Sequence, residues 1–232
     1  FAVLKIIAID IVLGGDNAVV IALACRRLPE QQRKLGIFWG VFGAIMLRVV
    51  LIFFALSLLA IPYLKIAGAA LLIWIGIKLM QPESAGEGHE IDASTTLLGA
   101  IKTIIVADAV MSLDNVIAIA GAAKDDLSLV IFGLVISVPI IVWGSQLVMK
   151  LMDRFPITIA IGAGLLGWIA GDMVITDVVT KAWVDSQAQY LHWIAPAVAA
   201  LVVVSAGKAL AARHRDVQKP LVDLLDDTTP KQ

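Results

Sequence analysis

Seven apolar stretches, each near the length of a membrane-crossing helix, divide the chain: roughly 2–24, 36–60, 62–80, 97–123, 127–149, 157–178 and 193–212. A helix crossing the hydrocarbon layer needs about 20 mostly apolar residues. Ile61-Pro62 separates the second stretch from the third, because a proline cannot continue the helix before it. The sixth has an ill-defined end, since Asp172 and Asp177 both interrupt its last part. The longest polar connection is 81–96, with Pro82, Gly86, Gly88, three glutamates and Asp92. After about Ala212 the chain turns polar, and residues 213–232 are expected to form a cytoplasmic tail that frays. The predicted fold is all-α: a polytopic membrane protein with seven transmembrane helices in residues 1–212.

The first three stretches recur as the next three. Asp10-Ile-Val-Leu-Gly-Gly-Asp16-Asn17-Ala-Val-Val-Ile-Ala matches Asp108-Ala-Val-Met-Ser-Leu-Asp114-Asn115-Val-Ile-Ala-Ile-Ala without a gap. Every matched position differs by 98, since 108 − 10 and 114 − 16 both give that number. Further on, Gly68-Ala-Ala-Leu-Leu-Ile-Trp74-Ile-Gly resembles Gly162-Ala-Gly-Leu-Leu-Gly-Trp168-Ile-Ala. A unit of three spans repeated in tandem must enter the membrane upside down the second time. The prediction is a 3+3 inverted repeat with a seventh helix outside it, a plan of secondary transporters that bind substrate near the midplane.

Composition and charge narrow the class. The chain is 60% hydrophobic with a mean hydropathy of +0.93, above the roughly 45–50% apolar content of a soluble domain. A net charge of −1 gives no basic field for nucleic acid. The single cysteine, Cys25, excludes an internal disulfide and a cysteine-cluster metal site, and reads as apolar filler. The chain opens at Phe1 rather than Met, so native residues are expected upstream, and residues 1–24 lack the marks of a cleavable leader. Arg26, Arg27, Arg33 and Lys34 fill the first connection, Lys150 and Arg154 the fifth, and Arg213, Arg215, Lys219 and Lys231 the tail. The alternate connections carry one lysine each: Lys65, Lys124 and Lys181. Positive residues mark the cytoplasmic side, so the N-terminus is expected outside and the C-terminus in the cytoplasm. The 81–96 connection strains this assignment: it falls on the cytoplasmic side without a basic residue, and only Lys78 and Lys102 flank it.

The repeated motif puts four aspartates where lipid-compatible side chains belong. A charge near the bilayer centre costs roughly 2.5–3.5 kcal/mol on insertion scales, and such residues mark ion or proton paths. With the first and fourth helices running in opposite directions, Asp16-Asn17 and Asp114-Asn115 meet at the midplane. Asp10 and Asp108 then flank them, one toward each face, as gating or secondary carboxylates. Residues seven apart share a helix face about 10.5 Å apart along the axis, which relates Asp10 to Asn17 and Asp108 to Asn115. Gly14-Gly15 loosens the first copy and can expose backbone carbonyls, whereas Ser112-Leu113 replaces it in the second. All these donors are oxygens, which suits a hard divalent cation: Mn²⁺, Mg²⁺ or Ca²⁺. The cation is cargo, no tightly bound cofactor is expected, and protons are a candidate counter-ion. Arg48, near the middle of the second helix, cannot easily reach water and is expected to pair with an aspartate as a counter-ion or gate. Asp172, at the repeat position of Lys78, is a further carboxylate or a partner for Arg48, and Asp177 reads as interfacial. Structural roles compete throughout: asparagines also bond helix to helix, and Asp10 and Asp108 also serve as polar packing groups. The acidic 81–96 connection reads as a solvated loop, and Trp39, Trp143, Trp183 and Trp193 as interfacial anchors.

Ile9-Asp10-Ile-Val-Leu-Gly-Gly-Asp16-Asn17-Ala-Val-Val, the Arg26-Arg27 loop and Ser112-Leu113-Asp114-Asn115 resemble the TerC family of integral membrane proteins, most closely its bacterial YjbE-like branch. The resemblance covers about residues 1–212 and extends to metal transporters of the wider LysE superfamily. It implies divalent metal export across the bacterial cytoplasmic membrane, with Mn²⁺ the leading substrate, and an association with tellurite resistance. Family metal-site roles fall on Asp16, Asn17, Asp114 and Asn115. Two other functions stand beside transport. One is a non-transporting partner in a membrane or tellurite-stress complex. The other is an intramembrane aspartyl protease, in which two aspartates share a proton. Such proteases resemble a Gly-x-Gly-Asp pattern, and Leu13 stands where the first glycine would be. No enzymatic activity is expected.

Overall fold

The computed structural model describes residues 16–81, 96–123 and 127–217. Every regular element among the described residues is helical. In chain order they are α1 (Asp16–Cys25), α2 (Glu30–Leu59), α3 (Leu64–Met80), α4 (Leu97–Ala123), α5 (Leu127–Arg154), α6 (Ile157–Ile175), α7 (Lys181–Gln187) and α8 (Leu191–Val217). Among the described residues the predicted second to sixth and last stretches fall on α2–α6 and α8, and α7 is an additional short helix; of the first stretch, 2–24, only residues 16–24 are described, in α1, and the rest lies outside the described residues.

Several boundaries differ from the predicted ones for a common reason. Apolarity ends where the membrane would end, but helical propensity does not. α2 starts at Glu30 rather than 36 because Glu, Gln, Arg and Lys are good helix formers. Pro29 precedes its first turn, and Glu30 complements the positive end of the helix dipole. Arg33 fastens this turn, donating from Nε to the Leu28 carbonyl at 2.9 Å and from Nη2 to the Arg26 carbonyl at 2.8 Å. α5 likewise continues to Arg154, and α8 to Val217, so the first residues of the expected tail are helical. α6 stops at Ile175, short of 178, where Thr176 and Asp177 turn the chain.

α2 packs chiefly on α4, and α6 on both α8 and α3. In α1, Val20 to Cys25 are all buried, as a helical stretch apolar on every side must be. Outward faces are apolar too. Leu35, Phe38, Phe42, Met46, Val50 and Phe54 form an exposed row along α2. Ile194, Val198, Leu201 and Val202 continue the pattern on α8. Water does not tolerate such belts on a monomeric surface; hydrocarbon does. Among the described residues, three helical stretches are long and apolar enough to cross a membrane: Glu30–Ile52, Ile157–Ile175 and Leu191–Arg213. Trp39, Trp143, Trp183 and Trp193 are all exposed.

Glycines set the close approaches. A Cβ on Gly171 of α6 would lie 2.5 Å from the Ala195 carbonyl oxygen of α8, a backbone atom that cannot rotate away. Gly171→Ala should therefore force α6 and α8 apart and cost about 1–3 kcal/mol, the range for overpacking. Thermal unfolding in detergent, compared with Gly164→Ala, checks this. A Cβ at Gly164 has its nearest neighbour at 3.3 Å, the end of the Val204 side chain.

Two further approaches are reciprocal. A Cβ at Gly68 of α3 would sit 2.8 Å from Val110 of α4, and one at Gly162 of α6 would sit 2.8 Å from Val19 of α1. These glycines are the matched pair of the sequence repeat, and each meets the motif helix of the opposite half.

A buried charge cluster at a small cavity

Gly40 and Gly43 offer no side chain toward Ile104 and Ile105, so α2 and α4 come close together. That approach lets Arg48 of α2 reach across to α4. Its Nη2 donates to Asp108 Oδ1 at 2.6 Å, and its Nε donates to Ser112 Oγ at 3.0 Å. Ser112 Oγ in turn donates to Asp108 Oδ2 at 3.3 Å. Ser112 lies one helical turn beyond Asp108, so both present to the same guanidinium. Arg48 is 5% exposed, Asp108 7% and Ser112 fully buried. Removed from water, the ion pair is short and charge-assisted.

Beside this cluster lies a cavity of about 30 Å³, lined by Asn17, Arg48 and Asp108 and otherwise by apolar groups of α1, α2, α4 and α5, Ile141 among them. A single water or a bare monatomic ion is the size it takes. Asn17 belongs to the first turn of α1 and is 5% exposed. Its backbone N–H donates to Asp16 Oδ1 at 2.8 Å. Its side-chain Oδ1 is buried without a hydrogen-bond partner among the described residues. Such an acceptor costs about 1–3 kcal/mol, so it marks a place where something else belongs. Asp16 is half-buried and feels the charges of both Arg48 and Asp108.

The other predicted residues fall differently. Asp10 lies outside the described residues, as does the acidic connection 82–95. Asp114 and Asn115 have their backbone in α4, and their side chains lie outside what is described. Asp172 is half-buried in α6 and is not among the residues lining the cavity. Its carbonyl accepts from Thr176 Oγ1 at 2.9 Å. Among the described residues no three His, Cys, Asp or Glu side chains gather where they could hold a metal. Ser112 was visible in the sequence only as the residue replacing a glycine; its hydroxyl closes the Arg48–Asp108 triangle. Cys25 is fully buried in the apolar core.

Asp177 lies just past the end of α6, near the helix end as expected, and its side chain is fully buried. Its Oδ1 accepts from the backbone N–H of Tyr63 at 3.1 Å and of Val179 at 3.0 Å, and its Oδ2 from Lys65 at 3.1 Å. Tyr63 precedes α3 in a left-handed conformation (φ 65°), and no side chain of its own caps that helix. Asp177 supplies the cap from the end of α6.

Apolar outward faces around a charge cluster shut away from solvent define an integral membrane protein. The sequence matches the family described as "Integral membrane protein TerC family" over residues 1–215. It is 46% identical over 176 residues to membrane protein YjbE of Bacillus subtilis strain 168, covering 76% of this chain and 80% of that protein. It is 24% identical over 160 residues to membrane protein YceF of the same strain, covering 66% and 62%. A UPF0053 protein of Haemophilus influenzae is 29% identical over 167 residues, covering 64% and 70%. No solved structure matches. The chain belongs to the TerC family.

Proposed function

We propose that this protein is a secondary transporter that exports a divalent cation, Mn²⁺ foremost, by alternating access, and that it is not an enzyme. One observation carries the reading: the buried Asn17 Oδ1, without a hydrogen-bond partner among the described residues, at a cavity of ion size that Arg48 and Asp108 also line. In this scheme Asp16, Asn17, Asp114 and Asn115 ligate the cation from the two motif helices. Asp10, Asp108 and Asp172 serve the path on either side. Arg48 is the resident counter-ion: with the site empty it neutralises Asp108, and an arriving dication takes over that task. Two carboxylates balance a 2+ charge, so the protein interior stays near neutral throughout. Protons are the counter-ion of choice, because carboxylates vacated by the metal must be compensated.

The seven-helix, 3+3 inverted-repeat plan belongs to the same proposal. Its support is the reciprocal approach of Gly68 to α4 and of Gly162 to α1, the exchange that a pseudo-twofold axis produces. The protein then sits in the bacterial cytoplasmic membrane, N-terminus outside and C-terminus inside.

The test is Mn²⁺ flux into proteoliposomes, with and without a pH gradient. The parent should transport. Asp16→Asn and Asp114→Asn, each folded, should lose at least about tenfold in rate, the loss expected when a ligating charge is removed. If the parent moves neither Mn²⁺, Ca²⁺ nor Mg²⁺, the reading fails.

A further inference from the structure

The end of the molecule where α6 stops carries an apolar rim. Ile61 and Tyr63, in the turn between α2 and α3, are exposed. So are Val178 and Val179 after α6, Trp183 of α7 and Tyr190 before α8. One oxygen atom joins the two connections: Asp177 Oδ1 accepts from the backbone N–H of Tyr63 at 3.1 Å and of Val179 at 3.0 Å. Two turns far apart in the chain therefore present one patch.

α7 extends it. Val184 and the capping Ala188 are buried against the bundle. Trp183 is 58% exposed, and helical geometry puts it about 160° around α7 from both Lys181 and Asp185. The short helix thus has an apolar side and a charged side, and on the latter Asp185 Oδ1 lies 3.0 Å from His192 Nε2.

The rim has a definite level. α6 has 19 residues, a rise of about 28 Å, close to the roughly 30 Å of the hydrocarbon layer. Its last turn therefore reaches the hydrocarbon boundary, and the residues just beyond fall among the headgroups. The rim also runs without a break into the lipid-facing belt. Trp193, at the start of α8, is exposed and meets Trp168 of α6 edge-on at 6.5 Å, and Ile194 and Val198 carry the exposed apolar surface onward along α8. A soluble partner could cover the part above the headgroups but not the part that passes into the belt.

We propose that this rim is a membrane-interface surface, and that the 176–190 connection lies in the plane of the leaflet at that end instead of standing in water. Val178 and Val179 enter below the headgroups, Trp183 and Tyr190 sit at their level, and Asp177 draws the α2–α3 turn in beside them. The partner is the boundary between headgroups and acyl chains, where amphipathic segments and aromatic rings collect. This surface stands independently of the transported ion.

Spin labels on the full chain in proteoliposomes test it. Val178→Cys, Val179→Cys, Trp183→Cys and Ser186→Cys each carry one exposed label; Cys25 is fully buried, and the parent is its control. Oxygen concentrates in lipid, and a nickel chelate stays in water. Oxygen should relax the labels at 178, 179 and 183 more than nickel does. The order should reverse at 186, about 160° around α7 from the buried Val184. Nickel dominance at 178 and 179 overturns the proposal, since the connection would then stand in water. Exclusion of both reagents there also overturns it, because protein, from this chain or a second copy, would then cover the patch. A measurement without labels checks α7: lipids brominated near the headgroup should quench a smaller amplitude of tryptophan fluorescence in Trp183→Phe than in the parent. An unchanged quenched amplitude overturns the placement of α7.

Discussion

Arg48→Met is expected to destabilise the protein by about 3–5 kcal/mol, because it strands the Asp108 carboxylate in the interior without its compensating charge. Methionine roughly keeps the length of the side chain, so packing changes less than charge. Asp108→Leu should cost about as much, for it strands the guanidinium instead. The double variant Arg48→Met/Asp108→Leu should lie much closer to the parent than the sum of the two, since replacing both members of a buried pair is often neutral. Ser112→Ala should cost about 1 kcal/mol, the loss of one hydrogen bond in the triangle. Reversible denaturation in mixed micelles measures all four. If either single variant stays within about 1 kcal/mol of the parent, water reaches the pair and its sealed character is wrong. The double variant carries functional information as well. Under the proposed transport function it should fold yet fail to exchange a guanidinium for a dication, separating the pair's structural part from its proposed part in transport.

The membrane class and the order of the long helices were readable because a spanning helix is written in consecutive residues. So was the prediction that Arg48 pairs with an aspartate: the cost of an isolated buried guanidinium demands a partner. Which aspartate was not readable. Asp108 becomes the partner because Gly40 and Gly43 let α2 settle on α4, and that packing joins residues 60 apart in the chain. The role of the Ser112 hydroxyl was not readable for the same reason; its value depends on which helix faces it. The cut at 36 for α2 shows another limit. Hydropathy reports where lipid ends, and Glu30 to Lys34 continue the helix into water without an apolar signal.

These failures share a pattern with consequences for the site. Residues whose role lies within one helix were placed well, and residues whose role lies between helices were not. The cavity sits where α1, α2, α4 and α5 meet, so its shape depends on inter-helix distances rather than on any one segment. A charge cluster that bridges α2 and α4 beside it is well placed to sense their separation. In the proposed transport cycle that separation would change as the halves rock.

Asp177 carries the second large expectation. Asp177→Ala should cost about 2–3 kcal/mol, because hydrogen bonds to a charged acceptor contribute roughly 1.5–3 kcal/mol and the first turn of α3 would lose its cap. Asp177→Asn retains one acceptor oxygen and should lose less. The pH dependence distinguishes charge from shape. Burial by itself would raise the Asp177 pKa, but the backbone N–H groups of Val179, Tyr63, Lys65 and Ile66 outweigh it and hold the carboxyl below its ordinary value. A carboxyl lowered on folding contributes stability in full above its unfolded pKa of about 3.9, and the contribution disappears as pH falls through the lower folded value. The gap between parent and Asp177→Ala should therefore be constant from neutral pH to about 5 and narrow below about 4. Unfolding measured across that range in detergent decides it. A gap that stays constant to pH 3 would mean that the cap works without its charge, through the neutral carboxyl's hydrogen bonds.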